Sequence, residues 1–255
     1  HLDDPTAGLD RKALSFGLQY QDDALSAKAK LELRQDRASA GSSAANTDAL
    51  LISGHATYQI NEAARWLLTF DLADSQTDGS SILSGQYGKA TLGYAFRPTN
   101  SDRLNILAKY TYLYDMYGQR LDGTEGLGAR QQTHVLSIDA TYDLTQNWEV
   151  GAKLGYRLSK SAPDATTALA QNDASLAVLN ARYHLNFQWD VLMEARYMQA
   201  HQAGIKDLGV IGALYRHVGE NMMLGLGYDF GAASDDLTDL TEKDRGVFVN
   251  LVGKF

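Results

Sequence analysis

A chain of 255 residues with a net charge of −8 and no cysteine excludes disulfide frameworks, thiolate metal sites and cysteine nucleophiles, and its acidity argues against nucleic acid, whose binding releases counterions from a basic surface. The hydrophobic fraction is 44% and the mean hydropathy −0.30, and no run approaches the roughly 20 apolar residues of a membrane-spanning helix. A transmembrane β-barrel stays open, because lipid-facing and water-facing residues average out along each strand; 3 Pro, 23 Gly and 14 Tyr suit long strands with aromatic girdles, about 12 to 14 of them at this length.

Residues 1–12 open His-Leu-Asp-Asp-Pro. They lack the basic and apolar regions of a signal peptide, which was either removed or belongs to something longer, and they read as an N-terminal extension or linker. Residues 13–255 read as the barrel. The first alternating segment is 14–20, ending on Tyr20. In 25–34, Leu25, Ala27, Ala29, Leu31 and Leu33 share one face, opposite Lys28, Lys30, Glu32 and Arg34. Segment 50–60 closes near Tyr58, and in 65–73 Trp66, Leu68, Phe70 and Leu72 oppose Arg65, Thr69 and Asp71. Segment 87–96 ends on Phe96, 104–115 carries Lys109 and Asp115, and 134–144 carries Asp139, Tyr142 and Asp143. The clearest alternation is 148–158, where Trp148, Val150, Ala152, Leu154, Tyr156 and Leu158 oppose Glu149, Gly151, Lys153, Gly155 and Arg157. Segment 176–186 holds Arg182 and Tyr183, and 189–198 starts on Trp189 and holds Asp190, Glu194 and Arg196. Segment 208–215 is apolar on both faces. After 222–230, the closing segment 246–255 puts Val247, Val249, Leu251 and Phe255 on one face, with Asn250 and Lys254 on the other.

Short connections at 21–24, 61–64, 97–103, 145–147, 187–188 and 217–221 alternate with long ones at 35–49, 74–86, 116–133, 159–174 and 231–245 and a shorter member at 199–207. That alternation is expected when short turns lie in the periplasm and long loops outside the cell, which puts the end of the last strand at the periplasmic side. Trp66, Trp148 and Trp189 follow short turns, and Tyr20, Tyr58, Phe96, Tyr142 and Tyr183 precede them. Together with Phe255 they are expected at one membrane interface, with Tyr110, Tyr112 and Tyr114 as an outer girdle. Thirteen segments is an odd number where bacterial barrels are even. Two readings stay open: 14 strands with a further strand before His1, or 12 with 208–215 or the first segment misread.

The inward set Lys28, Lys30, Glu32, Arg34, Lys109, Asp139, Glu149, Lys153, Arg157, Arg182, Glu194 and Arg196 is expected to line a lumen, where it either tunes ion selectivity or pairs across strands to keep a polar interior hydrated. Asp235, Asp236 and Asp239 lie in a loop with five carboxylates and are calcium candidates, although the loop lacks the glycine and spacing of an EF-hand, and a solvated acidic loop accounts for it too. His55, His134 and His184 are placed facing the lumen. No Gly-x-Ser-x-Gly, His-Glu-x-x-His or phosphate-binding motif occurs, so neither an enzyme nor a cofactor is expected.

At Gly227-Tyr-Asp-Phe230, the run from Ser234 to Leu240 and the closing decapeptide, about the last thirty residues, the chain resembles the C-terminal outer-membrane barrel of large Gram-negative surface proteins. In size and position it also looks like an autotransporter translocator. Gly253 stands where the family has an aromatic two residues before the last. The resemblance implies an integral outer-membrane anchor, and a possible export conduit, for covalently linked upstream domains or a partner protein. Outer-membrane lipid, lipopolysaccharide and the barrel-assembly machinery are the implied partners. A porin-like diffusion channel and an adhesin or ligand-binding barrel acting through its long loops remain the alternatives.

Overall fold

The computed structural model describes residues 2–4, 9–39, 46–77, 80–101, 103–116, 130–164, 167–219, 222–231, 237 and 245–253. These hold fifteen strands: β1 (Leu2–Asp4), β2 (Leu9–Gln21), β3 (Leu25–Ala38), β4 (Thr47–Asn61), β5 (Ala64–Thr77), β6 (Ser80–Phe96), β7 (Leu104–Met116), β8 (Arg130–Asp143), β9 (Trp148–Ala162), β10 (Ala170–Gln171), β11 (Ala174–Asn186), β12 (Trp189–Ala200), β13 (Ile205–Val218), β14 (Met222–Asp229) and β15 (Gly246–Gly253). Each pairs antiparallel with the next in chain order, except that β9 pairs directly with β11 while the two-residue β10 folds back onto β9. The wall is therefore an up-and-down path of 14 strands. Among the described residues, no ladder joins β15 to β1 or β2.

All thirteen segments expected from alternation are strands, including the doubly apolar 208–215, which lies inside β13. The reading of 12 is thereby overturned. The fourteenth strand is β1, inside the stretch read as a linker, where β2 also begins at Leu9. The expected long connection at 74–86 is overturned as well: β5 and β6 extend to Thr77 and Ser80, which pair with each other. Residues 74–77 are polar without a break, and a strand outside lipid needs no apolar face. Apart from β10, β2 to β13 hold 12 to 17 residues each, more than the roughly 9 to 11 a crossing needs.

Four short turns share one device. Asp22 Oδ1 accepts from the N–H groups of Ala24 and Leu25 at 2.9 and 2.7 Å, and Asn61 Oδ1 from Ala63 at 2.9 Å. Thr145 Oγ1 accepts from Asn147 and Trp148 at 3.2 and 3.1 Å, and Asn186 Oδ1 from Gln188 and Trp189 at 2.8 and 3.1 Å. A short polar side chain at the strand end thus supplies the acceptor that the reversing backbone lacks. Pro98 and Pro163, which have no N–H to give a ladder, fall in connections.

Register fixes the two faces. Leu14, Phe16 and Leu18 align with Leu33, Leu31 and Ala29, and Leu136, Ile138 and Tyr142 with Tyr156, Leu154 and Val150. This is the outer face, and its large apolar side chains are exposed. The buried side chains Leu113, Val135, Leu176, Val178, Ile211 and Tyr215 stand on the inner face instead. An apolar exterior around a covered interior inverts a water-soluble fold and suits a lipid solvent.

Candidate lumen and its wall

All twelve residues expected to line a lumen share the inner face, because ladder register carries one parity from strand to strand: Lys28, Glu32 and Arg34 stand opposite His55, Leu51 and Ala49 on β4. Lys109 stands opposite Ser137, Asp139 opposite Lys153, and Glu149 opposite Arg182. Several charges are matched locally. Lys30 Nζ lies 2.8 Å from Glu32 Oε2, which also accepts from Ser15 Oγ at 3.2 Å. Arg196 Nε donates to Glu194 Oε1 at 2.5 Å, and Arg34 Nε lies 3.5 Å from Asp36. Arg11 makes the forked pair with Asp36 at 2.7 and 2.9 Å, the geometry that gives a guanidinium–carboxylate contact its strength.

Three inner-face hollows lie along this wall. One of about 820 Å³ is lined by Arg65, Arg97, Asn105, Asp139 and Thr141 near the short turns, one of about 490 Å³ by Glu194, Arg196, Asp229 and Asn250, and one of about 360 Å³ by Lys28, Lys30, His55, Thr69 and Asp71. Arg157 and Arg196 share the inner face but are covered, at 6% and 8% exposure.

Parity corrects one histidine. His134 pairs with Tyr112 and Leu158 on the outer face, where Tyr110 Oη lies 2.7 Å from its Nδ1 and the Tyr112 ring is 5.0 Å away. His184 does face inward. It meets Asp190, whose Oδ1 lies 2.7 Å from His184 Nδ1 and whose Oδ2 lies 2.9 Å from His217 Nε2, so one carboxylate at 2% exposure links β11, β12 and β13. His217 lies beyond the apolar segment 208–215, where the sequence carries no alternation to mark it, yet β13 continues to Val218. The ring of Tyr215 covers Gly225 on β14, and the Arg182 guanidinium lies 5.7 Å from that ring.

Eight of the nine expected interface aromatics are described, and all eight point outward at the short-turn end. Trp66 lies between Tyr58 and Tyr94, with 5.1 Å between its ring and that of Tyr94, and Trp148 stacks on Tyr183 at 4.7 Å. Arg103 and Arg216 lie over Tyr142 and Trp189 at 5.6 and 5.5 Å. Tyr20 donates to Asp22 Oδ2 at 2.8 Å, and Phe96 stands opposite Ile106 and Ala64. The ninth, Phe255, and the calcium candidates Asp235, Asp236 and Asp239 lie outside the described residues.

Polar groups outside the crossing are tied equally firmly. The Asp22 carboxyl is held below its usual range by the Leu25 N–H first, then by the Tyr20 hydroxyl and the Ala24 N–H. At the opposite rim burial works to raise Asp173, but hydrogen bonds from Gln171, the Ser159 N–H at 3.1 Å and Gln202 at 3.3 Å outweigh it and lower the carboxyl.

The fold and this wall define a transmembrane, antiparallel up-and-down β-barrel of the outer-membrane class. No protein-family model matches the chain, and no curated protein matches it. Among solved structures it is similar to the siderophore receptor PirA of Acinetobacter baumannii, at 12% identity and TM-score 0.63 over 89% of this chain and 41% of that one. PirA of Pseudomonas aeruginosa gives 11% identity and TM-score 0.60 over 86% and 41%. The CymD monoaromatic hydrocarbon channel gives 9% identity and TM-score 0.50 over 97% and 86%. The chain thus spans about 41% of the length of the receptors it matches.

Proposed function

We propose that this chain works in the bacterial outer membrane as a porin-like passage for small solutes. The observation that carries the reading is the division of the wall: an exposed apolar outer face, and an inner face where charges of both signs surround open hollows. Lipid covers the former, water and solute occupy the latter, and the aromatics from Tyr20 to Trp189 sit at one interface. The charges on β3 and on β7 to β12 line the route, and their mixed sign makes it weakly selective. Lipopolysaccharide and the barrel-assembly machinery are the partners such a barrel requires.

Purified protein in planar bilayers is expected to give a steady open conductance, and its folded form to migrate differently on gels before and after heating. Electrical silence in a heat-modifiable barrel would overturn the channel. One feature favours an anchor for a larger protein instead: among the charges of β11 to β13, the inner-face side chains Leu176, Val178, Ile211 and Tyr215 are buried, as in a filled interior. Silence is the result that reading expects.

A further inference from the structure

The inner wall changes character between β8 and β12. Where β3 presents charges, Val135, Leu176 and Val178 stand inward and buried. Gly155 lies among them, opposite Ser137 on one side and Leu176 on the other. Its missing side chain leaves a hollow, and Leu237 from the connection between β14 and β15 fills it at 2% exposure. A Cβ on Gly155 would stand 2.9 Å from Leu237 Cδ1, closer than side chains pack. Two positions further along β9, Arg157 donates from Nη1 to the Leu237 carbonyl at 2.8 Å, and from Nη2 to Gln131 Oε1 at 3.3 Å and Ser159 Oγ at 3.4 Å.

The wall therefore holds two things side by side: a branched four-carbon group in an apolar hollow, and an oxygen acceptor on a guanidinium. We propose that this hollow is a binding site for small apolar carboxylates and that Leu237 is its internal occupant. A free ligand with a branched aliphatic body would place that body against Gly155, Val135 and Leu176. Its carboxylate would take the Nη1 hydrogen of Arg157 that the Leu237 carbonyl now accepts. A carboxylate adds ion-pair attraction and forked geometry to a bond that the neutral carbonyl takes singly, which is the ligand's advantage over the tethered leucine. The site draws on the proposed function only in needing water to reach the inner wall.

Isovalerate is the probe, titrated calorimetrically into the full chain folded in detergent, against empty micelles, with 3-methylbutan-1-ol and acetate for comparison. Leu237→Ala, which removes the competing side chain without filling the hollow and leaves only its carbonyl on Arg157, is expected to bind isovalerate about tenfold or more tightly than the parent chain. Gly155→Val is expected to abolish binding, and Arg157→Gln to erase the preference for isovalerate over the alcohol. Leu237→Ala that binds no isovalerate overturns the proposal, as does equal affinity for acetate or the alcohol. These two outcomes need no other variant to fold. Conductance recorded alongside separates the two readings: binding without conductance supports the site and removes the channel, and conductance without binding removes the site alone.

Discussion

Placing a charge at successive depths on one strand tests both the face assignment and the position of the barrel in lipid. On β9, Trp148 marks the interface, and Leu154 lies six positions further on, outward and 58% exposed, between Ile138 and Ala177. At ~3.3 Å per residue and a tilt near ~40°, six residues climb about 15 Å, close to the middle of an apolar band ~25 Å tall. Val150, on the same face, climbs only about 5 Å. Leu154→Arg is therefore expected to cost about 2–4 kcal/mol and Val150→Arg about 0–1 kcal/mol. In a two-state unfolding equilibrium the larger cost changes the folded-to-unfolded ratio by roughly 30-fold to 1,000-fold. Guanidinium unfolding of vesicle-inserted protein, followed by tryptophan fluorescence, reads both numbers. Equal costs at the two positions, or a Leu154→Arg protein as stable as its parent, would refute the outward placement of this face or the depth assigned to Trp148.

Asn61→Ala and Asn186→Ala each remove an acceptor from a short turn and should cost about 1 kcal/mol apiece in the same assay, with an additive double variant because the turns are remote. Asp173 has a lowered carboxyl in the folded chain, so its contribution is full above the unfolded carboxylate value of about 4 and is lost as pH falls through the lower folded value. Amide exchange in 167–173 should accelerate under acid. Asp173→Asn should show that faster exchange already at neutral pH, and unchanged exchange in the variant would mean that the carboxylate does not hold Ser159, Gln171 and Gln202 together. Asp190→Ala strips the carboxylate from His184 and His217; with both imidazoles partly solvated the expected cost is about 1–3 kcal/mol in the same unfolding assay. A variant as stable as its parent would mean that Asp190 does not tie the three strands together.

The strands were legible because lipid imposes a strict rule: each outward position must be apolar, so period two survives through 148–158 without interruption. Where lipid ends the rule lapses, and 74–86 looked like a loop although its backbone stays paired to Thr77 and Ser80. His134 was misplaced because its polarity outweighed its parity with Leu136 and Ile138; Tyr110 and Tyr112 supply the company that lets an imidazole face outward. The seat of Leu237 against Arg157, 80 residues apart, has no local signature. A glycine within a strand and a leucine within an acidic loop were the two available hints, each pointing to close approach. The linking of His184 to His217 through Asp190 was equally hidden, since it depends on which residues three strands bring level.

The three residues of β1 change the polarity of the first edge of the wall. Without them, β2 and β15 are the first and last of thirteen alternating strands and run the same way, so any closure between them would be parallel, with slanted hydrogen bonds. Leu2–Asp4 reverses the chain once more before β2. Its free edge runs opposite to β15, so a ladder begun at this rim would be antiparallel, with the paired, perpendicular hydrogen bonds of the rest of the wall.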